Sequence, residues 1–419
     1  MAEPERDDAP KPTAAQSMLS LYLPALILGL GSSIAAPALP VYAKSFDVSF
    51  GVASLAIIVY GLGSTVATVP TGYLVDRLGR RKIVLAGPIM TALTSFLVVT
   101  AQSFPELLVY RFLGGWALQM WMLGRLAMIT DTGGERRGRQ ITGMYGMDST
   151  GRLLGPAVGG FAAAAWDIRV PFILHGILAL LAIVPSFRLV RETNPAAQRT
   201  AERTESGTVG WRATAAQLLA VPVLMIFLVQ LLASLTRGSI WGGTLDLYVV
   251  YAYGLGPEAL GLLVAVTSAI GVPITFGIGH VMDRFGRKAT LVPGLVLLGL
   301  GLLSTAVTAF ASLAFSVYAV SLFLVRAAVS ATSGTMQVLA SDVAPPQGRG
   351  RFLGAWRLVS ELGGLLSPVA FAVLSEGYGF GVAFLFLSLT SLGAAFVLGA
   401  LVKETLAARR QQVPLASGS

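Results

Sequence analysis

The segment Gly72-Tyr73-Leu74-Val75-Asp76-Arg77-Leu78-Gly79-Arg80-Arg81 returns 207 residues later as Gly279-His280-Val281-Met282-Asp283-Arg284-Phe285-Gly286-Arg287-Lys288. Each copy is a short polar island between two long apolar stretches. Its glycines permit a tight turn and close approach of backbones, and its carboxylate and arginines can form charge pairs between helices. Self-similarity at a long period marks an internal repeat. Other parts of the chain keep the same register. Leu39-Pro40-Val41-Tyr42 aligns with Leu245-Asp246-Leu247-Tyr248, Gly155-Pro156 falls near Ser367-Pro368, and Arg191-Glu192-Thr193 is echoed by Lys403-Glu404-Thr405.

Outward from these islands the chain is overwhelmingly apolar. Of 419 residues 54% are hydrophobic and only 12% are charged, with 48 Gly, 21 Pro and no Cys. Average proteins are about 25% charged, so this chain could not cover a water-facing surface of its size. A soluble enzyme, a fibre and a disordered chain are excluded, as are disulfide frameworks and thiolate metal sites. A helix of about 20 residues crosses the hydrocarbon core. Apolar segments of that length lie at 18–42, 50–71, 83–101, 105–130, 141–165 and 170–188, then at 217–250, 259–279, 289–311, 313–340, 351–375 and 380–402. The expected fold is all-α, with twelve membrane-spanning helices in two pseudo-symmetric bundles of six. The organisation is a polar tail (1–16), a first bundle (17–190), a linker (191–215), a second bundle (216–402) and a second tail (403–419).

The net charge of +9 is explained by where the basic residues sit. Even-numbered connections hold Arg77, Arg80, Arg81, Lys82, Arg136, Arg137, Arg139, Arg188, Arg191, Arg199, Arg203, Arg212, Arg284, Arg287, Lys288, Arg349 and Arg351, against Lys44 and Arg169 in the odd ones. Basic loops stay inside, which predicts a multi-pass protein of the cell membrane with both termini cytoplasmic. The excess is a topology signal and points to no nucleic-acid partner.

On these features the chain resembles the major facilitator superfamily, over nearly its whole length. The G-x3-D-R-x-G-R-[RK] pattern is that family's signature between spans two and three, and the resemblance implies a gating role for Gly72, Asp76, Arg77, Gly79 and Arg80 and for Gly279, Asp283, Arg284, Gly286 and Arg287. Span five carries Gly151-Arg152-Leu153-Leu154-Gly155-Pro156-Ala157-Val158-Gly159-Gly160, which is similar to the antiporter motif of drug:proton exchangers in that family (Gly151, Gly155, Pro156, Gly159, Gly160). Small residues let helices approach closely in lipid, and Pro bends the helix. Arg111-Phe112-Leu113-Gly114-Gly115 in span four departs from the exporters' R-x-x-Q-G by replacing Gln with Gly114. Two inverted or parallel halves place a solute site near the midplane between them.

Charge inside a span is costly and marks function or a partner. Nine residues qualify: Arg111, Arg125, Arg152, Arg237, Arg326, Arg357, Asp148, Asp246 and Glu361. Asp148 with Arg152, and Arg357 with Glu361, are spaced i to i+4 on one helix face. Two readings compete for them: structural ion pairs, or a proton site in which burial raises and the arginine lowers the carboxyl pKa. Asp148, Glu361, Arg152, Arg357 and Arg111 are therefore the proton-coupling candidates. Arg125, Arg237, Arg326, Asp246, Gln119, Gln230, Trp116 and Met120 are the candidates for the solute cavity, with Trp121 and Met122 beside them. Asp246 also admits a second reading, as an exposed residue of the outer mouth. The arginine excess favours an anionic solute, and the soft aromatic and Met side chains suit an amphipathic one. His175 and His280 suggest no metal.

The leading expectation is a monomeric secondary transporter exporting amphipathic or anionic organic molecules in exchange for protons, without a cofactor. A proton symporter importing a sugar or organic acid is the rival, encouraged by Asp342-x6-Arg349, whose spacing resembles that of sugar carriers. A non-transporting sensor is a third possibility. A membrane-embedded enzyme is disfavoured by the lack of any nucleophile or metal motif, and ATP-driven pumping by the lack of a Walker loop.

Overall fold

In hydrocarbon every backbone N–H and C=O must be satisfied within its own segment, so the apolar stretches close as helices. The computed structural model describes residues 22–132, 137–189, 221–344 and 349–402. The tails 1–16 and 403–419 and the linker 191–215 lie outside them. Fourteen helices occur among the described residues: α1 (Leu23–Ala35), α2 (Ala38–Lys44), α3 (Phe50–Leu78), α4 (Arg80–Thr100), α5 (Phe104–Thr132), α6 (Arg137–Ala165), α7 (Val170–Leu189), α8 (Val221–Trp241), α9 (Thr244–Tyr253), α10 (Pro257–Phe285), α11 (Arg287–Phe310), α12 (Phe315–Val343), α13 (Arg349–Tyr378) and α14 (Phe380–Leu401).

They amount to twelve spans, because two spans are broken. Spans one and seven, expected as single segments, divide at Ala36-Pro37 and at Gly242-Gly243. Pro37 has no N–H to continue the ladder, and Gly243 adopts φ 87°, a left-handed conformation that favours glycine. The two breaks are 206 residues apart, so the repeat holds even where helices fail. Nine segments among the described residues are long and apolar enough to cross a membrane. Those that fall short are α5, α6 and α10. The first two carry Arg111, Arg125, Asp148 and Arg152.

Pairing inside the two bundles matches element for element. In the first, α1 packs on α6 and α7, α4 on α5 and α7, and α3 on α5; in the second, α8 packs on α13 and α14, α11 on α12 and α14, and α10 on α12. Lipid provides no hydrophobic drive between helices, so small residues and hydroxyls carry these contacts. Ser239 Oγ bonds Ser367 Oγ at 2.7 Å and Thr236 bonds Thr390 at 2.9 Å.

The repeated island is mostly helix, where a loop was expected. At 1.5 Å per residue the 29 residues of α3 span about 43 Å, more than the roughly 30 Å hydrocarbon core. Gly72, Asp76 and Arg77 therefore lie in turns of α3 that protrude beyond the apolar layer. The chain reverses at one residue in each copy, Gly79 (φ 96°, ψ 156°) and Gly286 (φ 103°, ψ 168°). Each donates its N–H to the carbonyl four residues back, Val75 and Met282. A side chain at either position would be strained, which is the physical reason for glycine there.

Candidate solute chamber

The two bundles enclose a chamber with two adjoining parts, of about 230 and about 460 Å³. Ile57 and Tyr60 of α3, Arg111 and Leu118 of α5, Trp241 at the end of α8 and Gly242 just after it border both parts. Asp148 and Arg152 of α6, His175 of α7 and Asp246 of α9 line the first part, and Glu361 of α13 lines the second. The breaks after α1 and α8 matter here, since they turn Pro40 and Asp246 at equivalent positions toward the same space.

On the side away from the Gly79 and Gly286 turns, the bundles are bonded to each other. Glu376 at the end of α13 accepts hydrogen bonds from Ser49 Oγ (2.6 Å) and Gly51 N–H (2.7 Å), capping α3 from the opposite bundle. Lys44 Nζ donates to Val250 O at 2.9 Å near the end of α9, and Tyr251 Oη donates to Val48 O at 2.7 Å. Phe50 packs edge-on against Phe380, with ring centroids 4.8 Å apart. On the basic side Val69 and Tyr73 of α3 and Leu358 of α13 are exposed. The bundles are thus joined by hydrogen bonds and ring contacts at the far side, whereas these side chains of α3 and α13 stay uncovered at the basic side.

Every charge pair expected within a helix forms, but in different surroundings. Arg152 Nε lies 2.8 Å from Asp148 Oδ2, and Arg357 Nε 3.5 Å from Glu361 Oε1; both pairs are partly open to the cleft. Asp246 contradicts its reading as an exposed mouth residue. Its carboxylate is largely but not fully buried and accepts from Arg326 Nη2 at 3.0 Å, with 13% and 8% of the two side chains exposed. Pairing to α12 draws it inward, and the hydroxyl of Tyr318 on the same helix is buried with no partner among the described residues. Arg111 donates Nε–H to Ala56 O at 3.2 Å and its guanidinium lies 4.2 Å from the Tyr60 ring centre.

Several cavity candidates do not face the chamber. Gln119 clamps α5 to α3, accepting from Ser64 Oγ at 3.1 Å and donating to Thr68 Oγ1 at 3.0 Å. Trp116 and Met120 pack with Val75 and Ile83 in a cluster inside the first bundle. Their helical position on α5 turns them to α3 and α4, so they are corrected from solute contacts to packing residues. Arg125 is buried and stacks on Trp121 at 4.3 Å. Gln230 bonds Ser234 on its own helix at 3.2 Å. Arg237 sits one turn before Trp241 on α8 and borders neither part of the chamber. Tyr60, Tyr110, Trp241 and His175 line it without having been singled out for it; aromatic residues are too common in membrane helices to give a signal by type alone.

The repeated islands form local contacts. Arg80 Nη1 lies 3.4 Å from Asp76 Oδ1, Arg77 donates to Tyr73 Oη at 3.1 Å, and Arg284 stacks on Phe285. Arg287 Nε bonds Asp342 Oδ2 at 2.7 Å, a buried tie between α11 and α12. That places Asp342, half of the sugar-carrier-like spacing, against the turn at Gly286 in the second bundle. The side chains of Asp283 and Arg349 lie outside the described residues.

The glycines of span five divide between two neighbours. A Cβ at Gly151, Gly155 or Gly159 would strike Leu26 O, Ser33 or Ile34 O of α1, inside the first bundle. A Cβ at Gly160 would instead strike Pro257 O and come within 2.9 Å of Gly261 Cα, on α10 of the second bundle. One motif thus glues a bundle together and sets how closely the two bundles meet at the far side.

The Major Facilitator Superfamily model matches residues 21–273 and 226–417. The chain belongs to this superfamily. It is a multi-pass membrane transporter and not an enzyme. Quinolone resistance protein NorA of Staphylococcus aureus (strain MRSA252) is 25% identical over 248 residues, 58% of this chain and 61% of that protein. Multidrug resistance protein 1 of Bacillus subtilis (strain 168) is 26% identical over 262 residues, 62% of this chain and 64% of that protein. The matches thus span less than two thirds of either relative. The crystal structure of a D-xylose-proton symporter superposes with a TM-score of 0.74 at 18% identity, covering 94% of this chain and 99% of that one. At that identity the likeness concerns the fold.

Proposed function

We propose that this superfamily member exports amphipathic organic molecules in exchange for protons, with the basic side of the fold cytoplasmic and the protein acting as a monomer in the cell membrane. The observation that carries the reading is the Asp246–Arg326 pair, largely withdrawn from the surface, in the wall of a chamber whose far side is closed by bonds between the bundles. Support also comes from the resistance proteins named above and from the antiporter-like glycines of span five. In the state described here Asp246 is bonded to Arg326 and only slightly exposed. Separating α9 from α2 and α3, which it touches across the bundle boundary, opens the far side and hydrates the pair. A proton then neutralises Asp246 and frees Arg326, and its return to the cytoplasm restores the bond. Asp148 and Glu361 are secondary in this scheme. Their carboxylates already meet the cleft, where an i,i+4 pair is worth only about 0.3–0.5 kcal/mol.

Everted membrane vesicles test the direction. With respiration acidifying the lumen, ethidium should accumulate inside and leave again when nigericin collapses the pH gradient. Accumulation indifferent to nigericin, or uptake of a sugar or organic acid coupled to protons in the opposite orientation, would overturn the exporter reading in favour of a different driving force or of symport.

A further inference from the structure

The three acids that line the chamber are each paired: Asp148 by Arg152, Asp246 by Arg326 and Glu361 by Arg357. Arg111 alone borders both parts of the chamber without an acid. Its only polar bond to a described residue is Nε–H to Ala56 O. The guanidinium lies against the face of Tyr60, a stacking that fixes the plane and leaves the Nη edge, two parallel donors, for a planar acceptor. The surrounding wall supplies ring surface from Tyr110, Trp121 and Trp241.

We propose that Arg111 and Tyr60 form an anion subsite that takes the carboxylate of an aromatic monocarboxylic solute, whose ring lies against the chamber's aromatic wall. The proposal rests on the chamber being the solute site of the transporter. Its chemistry follows from the charge count: a pre-oriented guanidinium with no acid paired to it among the described residues attracts one negative charge, and the remaining pairs offer no second cation free to bind a dianion. The fork geometry selects carboxylate over a spherical ion. A cationic amphipath can use the same aromatic wall, but it gains nothing from Arg111.

The probe is 2-naphthoate against its neutral isostere 2-naphthamide, with binding to the purified full chain measured by calorimetry. A hydrogen bond between charged groups is stronger than one to a neutral amide, so naphthoate should bind at least roughly tenfold more tightly than the amide. Arg111→Gln should erase that preference, and Arg111→Lys should restore part of it. Should Arg111→Gln fail to fold, Tyr60→Leu, which frees the guanidinium plane, should lower the preference instead. Equal affinity of the wild type for acid and amide would overturn the proposal, as would a preference that survives Arg111→Gln. Wild-type ethidium accumulation is the separate readout of export: if it fails while the naphthoate preference stands, the exporter reading falls and the subsite remains.

Discussion

Asp246→Asn should abolish pH-gradient-driven transport while solute-for-solute exchange continues. Among the described acids of the chamber wall, this carboxylate is the least exposed and the one bonded to a cation on another helix. Asparagine keeps an oxygen to accept from Arg326 Nη2, so the change falls short of deleting a buried partner, which typically costs about 3–5 kcal/mol. What it removes is the ability to be charged in one state and neutral in the other. Exchange at equal pH needs only the chamber and the two gates, and it should stay within about threefold of wild type, an effect below 1 kcal/mol. Coupled accumulation should drop at least tenfold. Glu361→Gln and Asp148→Asn should each retain most coupled transport, because their pairs are already wetted by the cleft. If Asp246→Asn drives accumulation normally while Glu361→Gln does not, the coupling site is on α13, and the assignment to α9 is wrong. The double variant Asp246→Asn with Arg326→Gln separates coupling from folding, since it should recover thermal stability without recovering accumulation.

Adjacent glycines of span five should give opposite phenotypes when each is replaced by Val. Gly159 faces Ile34 of its own bundle, whereas Gly160 faces Pro257 and Gly261 of the other. Overpacking costs about 1–3 kcal/mol. At Gly159 that cost falls on the fold and should appear as a lower melting temperature. At Gly160 it falls only on the state in which the bundles touch at the far side, which shifts the equilibrium toward the open form about 5- to 150-fold with little loss of melting temperature. The chain contains no Cys, so spin labels at Cys substitutions of Asp47 and Tyr378, on opposite bundles, report that gap without background. A longer label distance in Gly160→Val and an unchanged one in Gly159→Val are expected. Equal effects on both readouts would contradict the division of the motif.

The fold was legible because lipid removes most alternatives: apolar length dictates helices, and the repeat dictates two matching bundles. Even the shared φ of Gly79 and Gly286 was implicit in a pattern that kept glycine at both positions. The breaks at Pro37 and Gly243 were not read, since proline and glycine are tolerated inside membrane helices and only the equivalence of Pro40 with Asp246 hinted that this segment has its own role. Charges were located well by type, but their surroundings were not. Asp246 looked like a mouth residue because its partner, Arg326, lies 80 positions away on a helix whose rotation the sequence does not reveal. Gln119, Trp116 and Met120 were misplaced for the same reason. They share α5 with Arg111, and a difference of about 100° per residue decides which of them meets the solute.

Antiport is tested most directly by asking whether solute entering one way moves protons the other way. Everted vesicles carrying the wild-type chain are acidified by respiration, and luminal pH is followed through the quenching of an acridine dye. Addition of ethidium should cause immediate partial recovery of dye fluorescence as protons leave in exchange, and vesicles carrying Asp246→Asn should show none. No recovery in wild-type vesicles that demonstrably accumulate ethidium, or further acidification on its addition, would contradict proton-coupled export.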